Sequence, residues 1–283
     1  MPSPADATGP IGVFDSGIGG LSVLAALRKE LPDEQFVYIG DAGHAPYGER
    51  DSAHVIARSL LLANYLCTQH QVKALVLACN TATAAAIASL RERYPALPIV
   101  GIEPALKPAA AQTASGVVAV MATRSTLASD KFLALLAAQP QSVRFLLQAC
   151  DGLAAAIEQA DRPAIESLCQ GYIHALQQNP DGGTHIDTVV LGCTHYALIT
   201  EGLSQLWGPR VALLEAGKPV ARRTRHVLAA LALLRPASVA TQHDTAMQSL
   251  LCMSTGDPSF LDQALRDWLV GEPALRASAV RIP

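Results

Sequence analysis

The sequence predicts an α/β protein of two units, each a mainly parallel sheet flanked by helices, and three observations carry that prediction. Short apolar runs alternate with amphipathic stretches at the spacing of right-handed βαβ units. The runs are continuous rather than alternating, as in Ala74-Leu75-Val76-Leu77 and Thr188-Val189-Val190-Leu191, which marks strands covered on both faces. The chain has 283 residues, 50% hydrophobic and 16% charged, enough for two cores of ordinary domain size and too apolar for extensive disorder.

Taken in order, a strand at 11–14 breaks into Asp15-Ser16-Gly17-Ile18-Gly19-Gly20, after which Leu21, Leu24, Ala25 and Leu27 share one helical face. Pro32 ends that helix, 36–39 is the next strand, and Gly40-Asp41 to Pro46-Tyr47-Gly48 is a loop of turn formers. A long helix over 52–70 leads to the strand that ends at Cys79, then come a helix over 81–93 and a strand over 99–102. Beyond Glu103-Pro104 a helix precedes a strand at 117–121, a polar loop over 122–129, a helix over 131–138 and a strand at 143–147. Residues 153–178 read as two helices broken near Asp161-Arg162-Pro163, and a turn-rich loop over 179–184 enters the strand that ends at Cys193. A helix over 197–206, a strand at 211–214, a helix over 218–234, a weak strand at 249–253 and a helix over 259–269 complete the chain. No flexible linker separates the units; the expected division is 1–100 with 210–283 against 101–209.

The net charge of −3 leaves no electrostatic footprint for nucleic acid or an anionic membrane surface. The first ten residues lack the basic start and apolar core of a secretory signal, and no apolar run has bilayer-spanning length. The expectation is a soluble, cytoplasmic protein with reduced thiols. Its six cysteines, Cys67, Cys79, Cys150, Cys169, Cys193 and Cys252, form no CxxC pair, which argues against a zinc ribbon or a thioredoxin-type site.

Open α/β sheets bind ligands at the C-terminal ends of their strands. Four polar clusters fall there: Asp15-Ser16-Gly17, Cys79-Asn80-Thr81, the 123–129 loop, and Cys193-Thr194-His195. Cys67, Cys169, Cys150 and Cys252 read as inert apolar fillers. Cys79 and Cys193 differ, since each ends a strand, opens a helix and is flanked by donors, a setting that favours thiolate. His195, two positions from Cys193, suits an acid or a group that poises the thiol. Asp15 is either a turn cap or a carboxylate placed to orient an ammonium group. The glycines at 17, 19 and 20 lack phosphate-loop spacing and read as letting backbone approach a small ligand closely. Two thiols, one from each half, suit inversion of a stereocentre, which needs a base on one face of a carbon and an acid on the other.

The stretches Gly12-Val13-Phe14-Asp15-Ser16-Gly17-Ile18-Gly19-Gly20-Leu21-Ser22-Val23-Leu24, Ala45-Pro46-Tyr47-Gly48 and Ala78-Cys79-Asn80-Thr81-Ala82-Thr83 carry a family likeness. So do Gly101-Ile102-Glu103-Pro104, Leu191-Gly192-Cys193-Thr194-His195-Tyr196 and Ser254-Thr255-Gly256-Asp257-Pro258. In this order, over nearly the whole chain, they resemble the glutamate racemases of the cofactor-independent amino-acid racemase superfamily. The resemblance implies two pseudo-symmetric domains with the site in the cleft between them, no cofactor, no metal, and glutamate as the small-molecule partner. It implies that Cys79 deprotonates D-glutamate and Cys193 L-glutamate, assisted by Asp15 and His195 respectively, with Glu158 as a further cleft carboxylate. Ser16, Tyr47, Gly48, Asn80, Thr81, Thr83, Thr123, Thr126 and Thr194 would bind substrate. It also implies a role in supplying D-glutamate for bacterial peptidoglycan; homodimers are frequent in the family, and the sequence does not choose an arrangement.

The sequence departs from the family pattern at Ala42-Gly43-His44, at Ser125, where glycine is usual, and at Phe132, Asp151 and Glu215-Ala216. The nearest rival is a relative acting on another small amino acid such as aspartate. A Cys–His hydrolase or acyl transferase leaves the second cysteine unexplained, and a metal or binding module has three ligands without a clear fourth.

Overall fold

The computed structural model describes residues 6–181, 185–236, 249–269 and 275–282. The chain runs β1 (Ile11–Asp15), α1 (Leu21–Glu30), β2 (Phe36–Gly40), α2 (Ser52–His70), β3 (Ala74–Leu77), α3 (Asn80–Arg93) and β4 (Ile99–Gly101). It continues through α4 (Leu106–Gln112), β5 (Val117–Ala122), α5 (Arg124–Leu127), α6 (Asp130–Ala137), β6 (Arg144–Ala149), α7 (Leu153–Glu158) and α8 (Arg162–Gln177). Then follow β7 (Thr188–Leu191), α9 (Thr194–Ala197), α10 (Thr200–Trp207), β8 (Ala212–Leu214), α11 (Gly217–Ala230), β9 (Leu250–Ser254), α12 (Pro258–Trp268) and β10 (Ala277–Ala279).

These elements build two sheets, ordered β10-β9-β2-β1-β3-β4 and β6-β5-β7-β8, with every strand pair parallel. The second sheet repeats the order β2-β1-β3-β4 of the first, which is the pseudo-symmetry of the molecule. In each, the strand order reverses at the first strand of the unit, between β1 and β3 and between β5 and β7. Such a switch point opens a crevice at the carboxyl ends. The registers Phe14↔Leu77 and Met121↔Leu191 set the two crevices in equivalent places.

The four-residue strands β3 and β7 are buried throughout, as continuous apolar runs require in a sheet covered on both faces. One core cluster joins both sheets: Val13, Val76 and Leu24 of the first pack with Met121, Val189 and Tyr196 of the second. A second fills the space between the first sheet and α2 and α3, and a third lies on the outer face of the second sheet.

Several sequence expectations need correction. β8 pairs with β7, through Thr188↔Ala212 to Val190↔Leu214, so the chain has not left the second sheet at residue 210. The return is made by α11, which packs on α1. The polar loop over 122–129 contains the helical turn α5, capped by the Thr123 hydroxyl on the Thr126 N–H. The helix expected over 197–206 is two, α9 and α10, and the weak strand at 249–253 is paired between β2 and β10. Of the turn-rich loop over 179–184, residues 182–184 lie outside the described residues. Among the described residues no helix is long and apolar enough to cross a membrane.

Candidate active site

The carboxyl ends of β1, β3, β5 and β7 meet around a small, nearly filled cavity of about 10 Å³. Of the residues expected at the site, Ser16, Tyr47, Gly48, Cys79, Asn80, Thr81, Thr123, Cys193, Thr194 and His195 line it, joined by Pro46 and Ala154. The two thiols are nearly sealed, Cys79 being 5% and Cys193 7% exposed. Each precedes the first residue of a helix, α3 or α9, and both backbones are extended there. The strand delivers the sulfur and the helix turns away from it.

Behind Cys79 lies Asp15, the last residue of β1 and wholly buried. Its Oδ2 accepts the Gly20 N–H at 2.7 Å, and its Oδ1 is buried without a hydrogen-bond partner. Burial raises the Asp15 carboxyl above its ordinary range, against the pull of the His195 charge and the Gly20 N–H. Burial also pushes the Cys79 thiol well up, and the adjacent Asp15 adds to it, while the Ala82 N–H at 3.4 Å pulls the other way. The sequence expectation that a helix start favours thiolate therefore does not hold at Cys79: one long N–H contact is outweighed by desolvation and a neighbouring carboxyl.

The Cys193 side is built differently. His195 Nδ1 stands 3.8 Å from the Cys193 sulfur, and Nε2 stands 2.7 Å from Glu158 Oε2. Burial alone lowers a histidine, yet hydrogen bonds to Cys193 and Glu158 outweigh it and hold the His195 pKa well above its ordinary value. Glu158 also accepts the Ile18 N–H at 3.0 Å and so ties α7 of the second half to the loop after β1.

This contact explains two glycines. A Cβ at Gly17 would collide with the Glu158 carboxylate, and one at Gly19 with the His195 ring. The glycines give room to the protein's own acid and imidazole, where the sequence had suggested a ligand. Gly17→Ala is expected to cost about 1–3 kcal/mol of stability, the usual penalty of an overpacked site, measured by urea unfolding.

Across the cavity the Thr81, Thr123 and Thr126 hydroxyls form a triangle with sides of 3.1, 3.3 and 2.8 Å, linking α3 to α5. Thr126 thus stands one residue behind the lining. Thr83 is apart: its hydroxyl takes the Ile102 N–H at 3.1 Å and holds α3 to the end of β4. Tyr47 donates to Asp41 Oδ2 at 2.5 Å. Asp41 is fully buried and also accepts from Arg58 Nε at 3.1 Å, Arg58 Nη2 at 3.0 Å and Thr255 Oγ1 at 2.7 Å.

Sequence reading passed over this Asp41–Arg58 support. The available signal was Arg58 itself, at a core-facing position of α2 between Val55 and Leu62. Of the cysteines read as fillers, Cys150, Cys169 and Cys252 are buried and Cys67 is half-buried. Burial raises the Cys169 thiol to about 11. Among the described residues no group of three His, Cys, Asp or Glu side chains is placed to hold a metal.

Two parallel sheets of one topology, each bringing a thiol from its switch point to a shared polar cavity, define a two-sheet α/β enzyme with a candidate site between the sheets. The family of Asp/Glu/hydantoin racemases matches residues 11–221. A glutamate racemase of Ectopseudomonas mendocina is 47% identical over 94% of this chain and 96% of its own. Among solved structures, the glutamate racemase of Escherichia coli, in complex with L-glutamate and the activator UDP-MurNAc-ala, is 29% identical with a TM-score of 0.79, covering 96% of this chain and 99% of that one. The glutamate racemase of Francisella tularensis subsp. tularensis SCHU S4, in complex with D-glutamate, is 25% identical with a TM-score of 0.78, covering 98% of both. The chain belongs to the Asp/Glu/hydantoin racemase family and is an isomerase.

Proposed function

We propose that the protein interconverts L- and D-glutamate without a cofactor, Cys79 and Cys193 handling the α-proton on opposite faces of the carbon. The observation that carries this reading is the single cavity lined by one thiol from the switch point of each pseudo-symmetric sheet. The relatives bound to D-glutamate and to L-glutamate support glutamate as the substrate.

The two sides of the cavity differ in what stands beside each sulfur. Cys79 beside Asp15 keeps its proton, whereas the sulfur of Cys193 faces an imidazolium. With Cys193 as base and Cys79 as acid, the site works on L-glutamate in the family's pattern. After turnover Cys193 carries the proton, and Cys79, with Asp15 behind it, is the base for D-glutamate.

The carbanion-like transition state needs donors aimed at the substrate carboxylate. Ser16, Thr81, Thr123 and Thr194 line the cavity with hydroxyls, and the buried Asn80 Oδ1, without a hydrogen-bond partner, is an acceptor for the α-ammonium. A cytoplasmic supply of D-glutamate for peptidoglycan is the role that this reaction implies.

The test is α-proton exchange in deuterated buffer without added pyridoxal phosphate. Both glutamate enantiomers are expected to gain deuterium at Cα and converge on a racemic mixture. Exchange on aspartate but not glutamate would move the substrate assignment, and no exchange on either would overturn it.

A further inference from the structure

With both thiols nearly sealed, an amino acid reaches the cavity only when its walls separate. Among the described residues few polar contacts hold the two halves together beside it. The threonine triangle and the Glu158–Ile18 contact belong to the site itself. The Ser22 hydroxyl reaches the Thr194 carbonyl only at 3.5 Å.

Ser125 is different. Its hydroxyl, on α5 of the second half, donates to the Gly48 carbonyl of the first at 2.9 Å, in a part-buried setting. Gly48 lines the cavity next to Tyr47. Ser125 lies between Thr123 and Thr126, so one short turn supplies the cavity wall and this bond. The hydroxyl stands where the family pattern has glycine, and its loss would leave the rest of α5 as it is.

We propose that Ser125 is a positioning residue whose hydroxyl latches the rim of the cleft, holding Gly48 and the Tyr47 loop against the second half so that the cavity closes over its ligand. The proposal rests on the reading of this cavity as the substrate site. The bond is made only in the closed form, so it shifts the balance between closed and open forms by its own strength. Its removal makes the open form more frequent, weakens substrate retention and speeds release.

The experiment measures how fast iodoacetamide alkylates Cys79 and Cys193 in the ligand-free protein, resolved by peptide mass spectrometry with half-buried Cys67 as internal reference. Ser125→Ala is expected to raise both rates about two- to tenfold, as loss of one neutral hydrogen bond dictates, while Ser125→Thr stays within about twofold of the parent. Unchanged Cys79 and Cys193 rates in Ser125→Ala, or an equal rise in Ser125→Thr, would overturn the latch. A Cys67 rate that rises in step would show general loosening and overturn it as well. Ser125→Gly repeats the measurement should the alanine variant fold poorly. In steady state Ser125→Ala raises KM for glutamate without lowering kcat. Alkylation needs no turnover, so a protein inactive on glutamate whose labelling responds as expected would refute the substrate reading and leave the latch standing.

Discussion

Cys79→Ala and Cys193→Ala are each expected to lower racemisation of both glutamate enantiomers by about 10²–10⁴ or more, the range for loss of a positioned acid or base. On the two-base reading proposed above, each thiol is base in one direction and acid in the other, so neither direction survives loss of either. A site in which only one thiol acts would instead be insensitive to loss of the other. The neighbours cannot take over: Asp15 stands behind Cys79 and Glu158 behind His195, outside the lining of the cavity. The serine variants sharpen the test. Cys79→Ser and Cys193→Ser should each retain elimination from one enantiomer of a chlorinated glutamate analogue, because elimination needs a single base, and they should retain opposite enantiomers. Circular dichroism of glutamate follows racemisation, and release of chloride follows elimination. Wild-type turnover in either alanine variant would remove the two-base assignment.

The parts of this site that were legible in the sequence are those that depend on the strand end alone. An apolar run that stops at a small polar cluster fixes where a side chain emerges, which is why Cys79, Cys193, Asp15 and Thr194 could be placed from the chain. Contacts between distant segments leave no such local trace. Glu158 comes from a helix 37 positions before His195, and only the likeness to a family pointed to it. The glycines after β1 showed that something must come close, but whether ligand or protein depends on packing across the cleft. The sheet that holds β8 was misjudged for a similar reason: three residues of strand carry no label for their partner, and α11 was free to make the crossing. The Cys79 protonation state was misjudged because a helix start is a local feature, while desolvation and the Asp15 carboxyl are tertiary.

Arg58→Met is expected to cost about 3–5 kcal/mol of stability, the penalty for leaving a buried charge without its partner. Against the 5–15 kcal/mol that ordinarily separates folded from unfolded protein, that is a large fraction. Asp41 is 0% exposed, and two of its five close side-chain partners are nitrogens of the Arg58 guanidinium at 3.0 and 3.1 Å, the others being Tyr47, Thr255 and His44 Nδ1 at 3.2 Å. The third guanidinium nitrogen, Nη1, donates to the Ile282 carbonyl at 3.1 Å, so the same substitution releases the end of the described chain from α2. Asp41→Asn placed in the Arg58→Met background should recover part of the loss, since a neutral amide needs no countercharge while the Tyr47 and Thr255 hydroxyls retain an acceptor. Urea unfolding of the single and double variants measures both steps, and a double variant less stable than Arg58→Met would show that the charge is not what is being compensated. Tyr47 lines the cavity on one side and leans on Asp41 on the other. The folded fraction of Arg58→Met should therefore bind glutamate more weakly, with KM rising more than kcat falls: the pair acts on the reaction only through the tyrosine it holds in place.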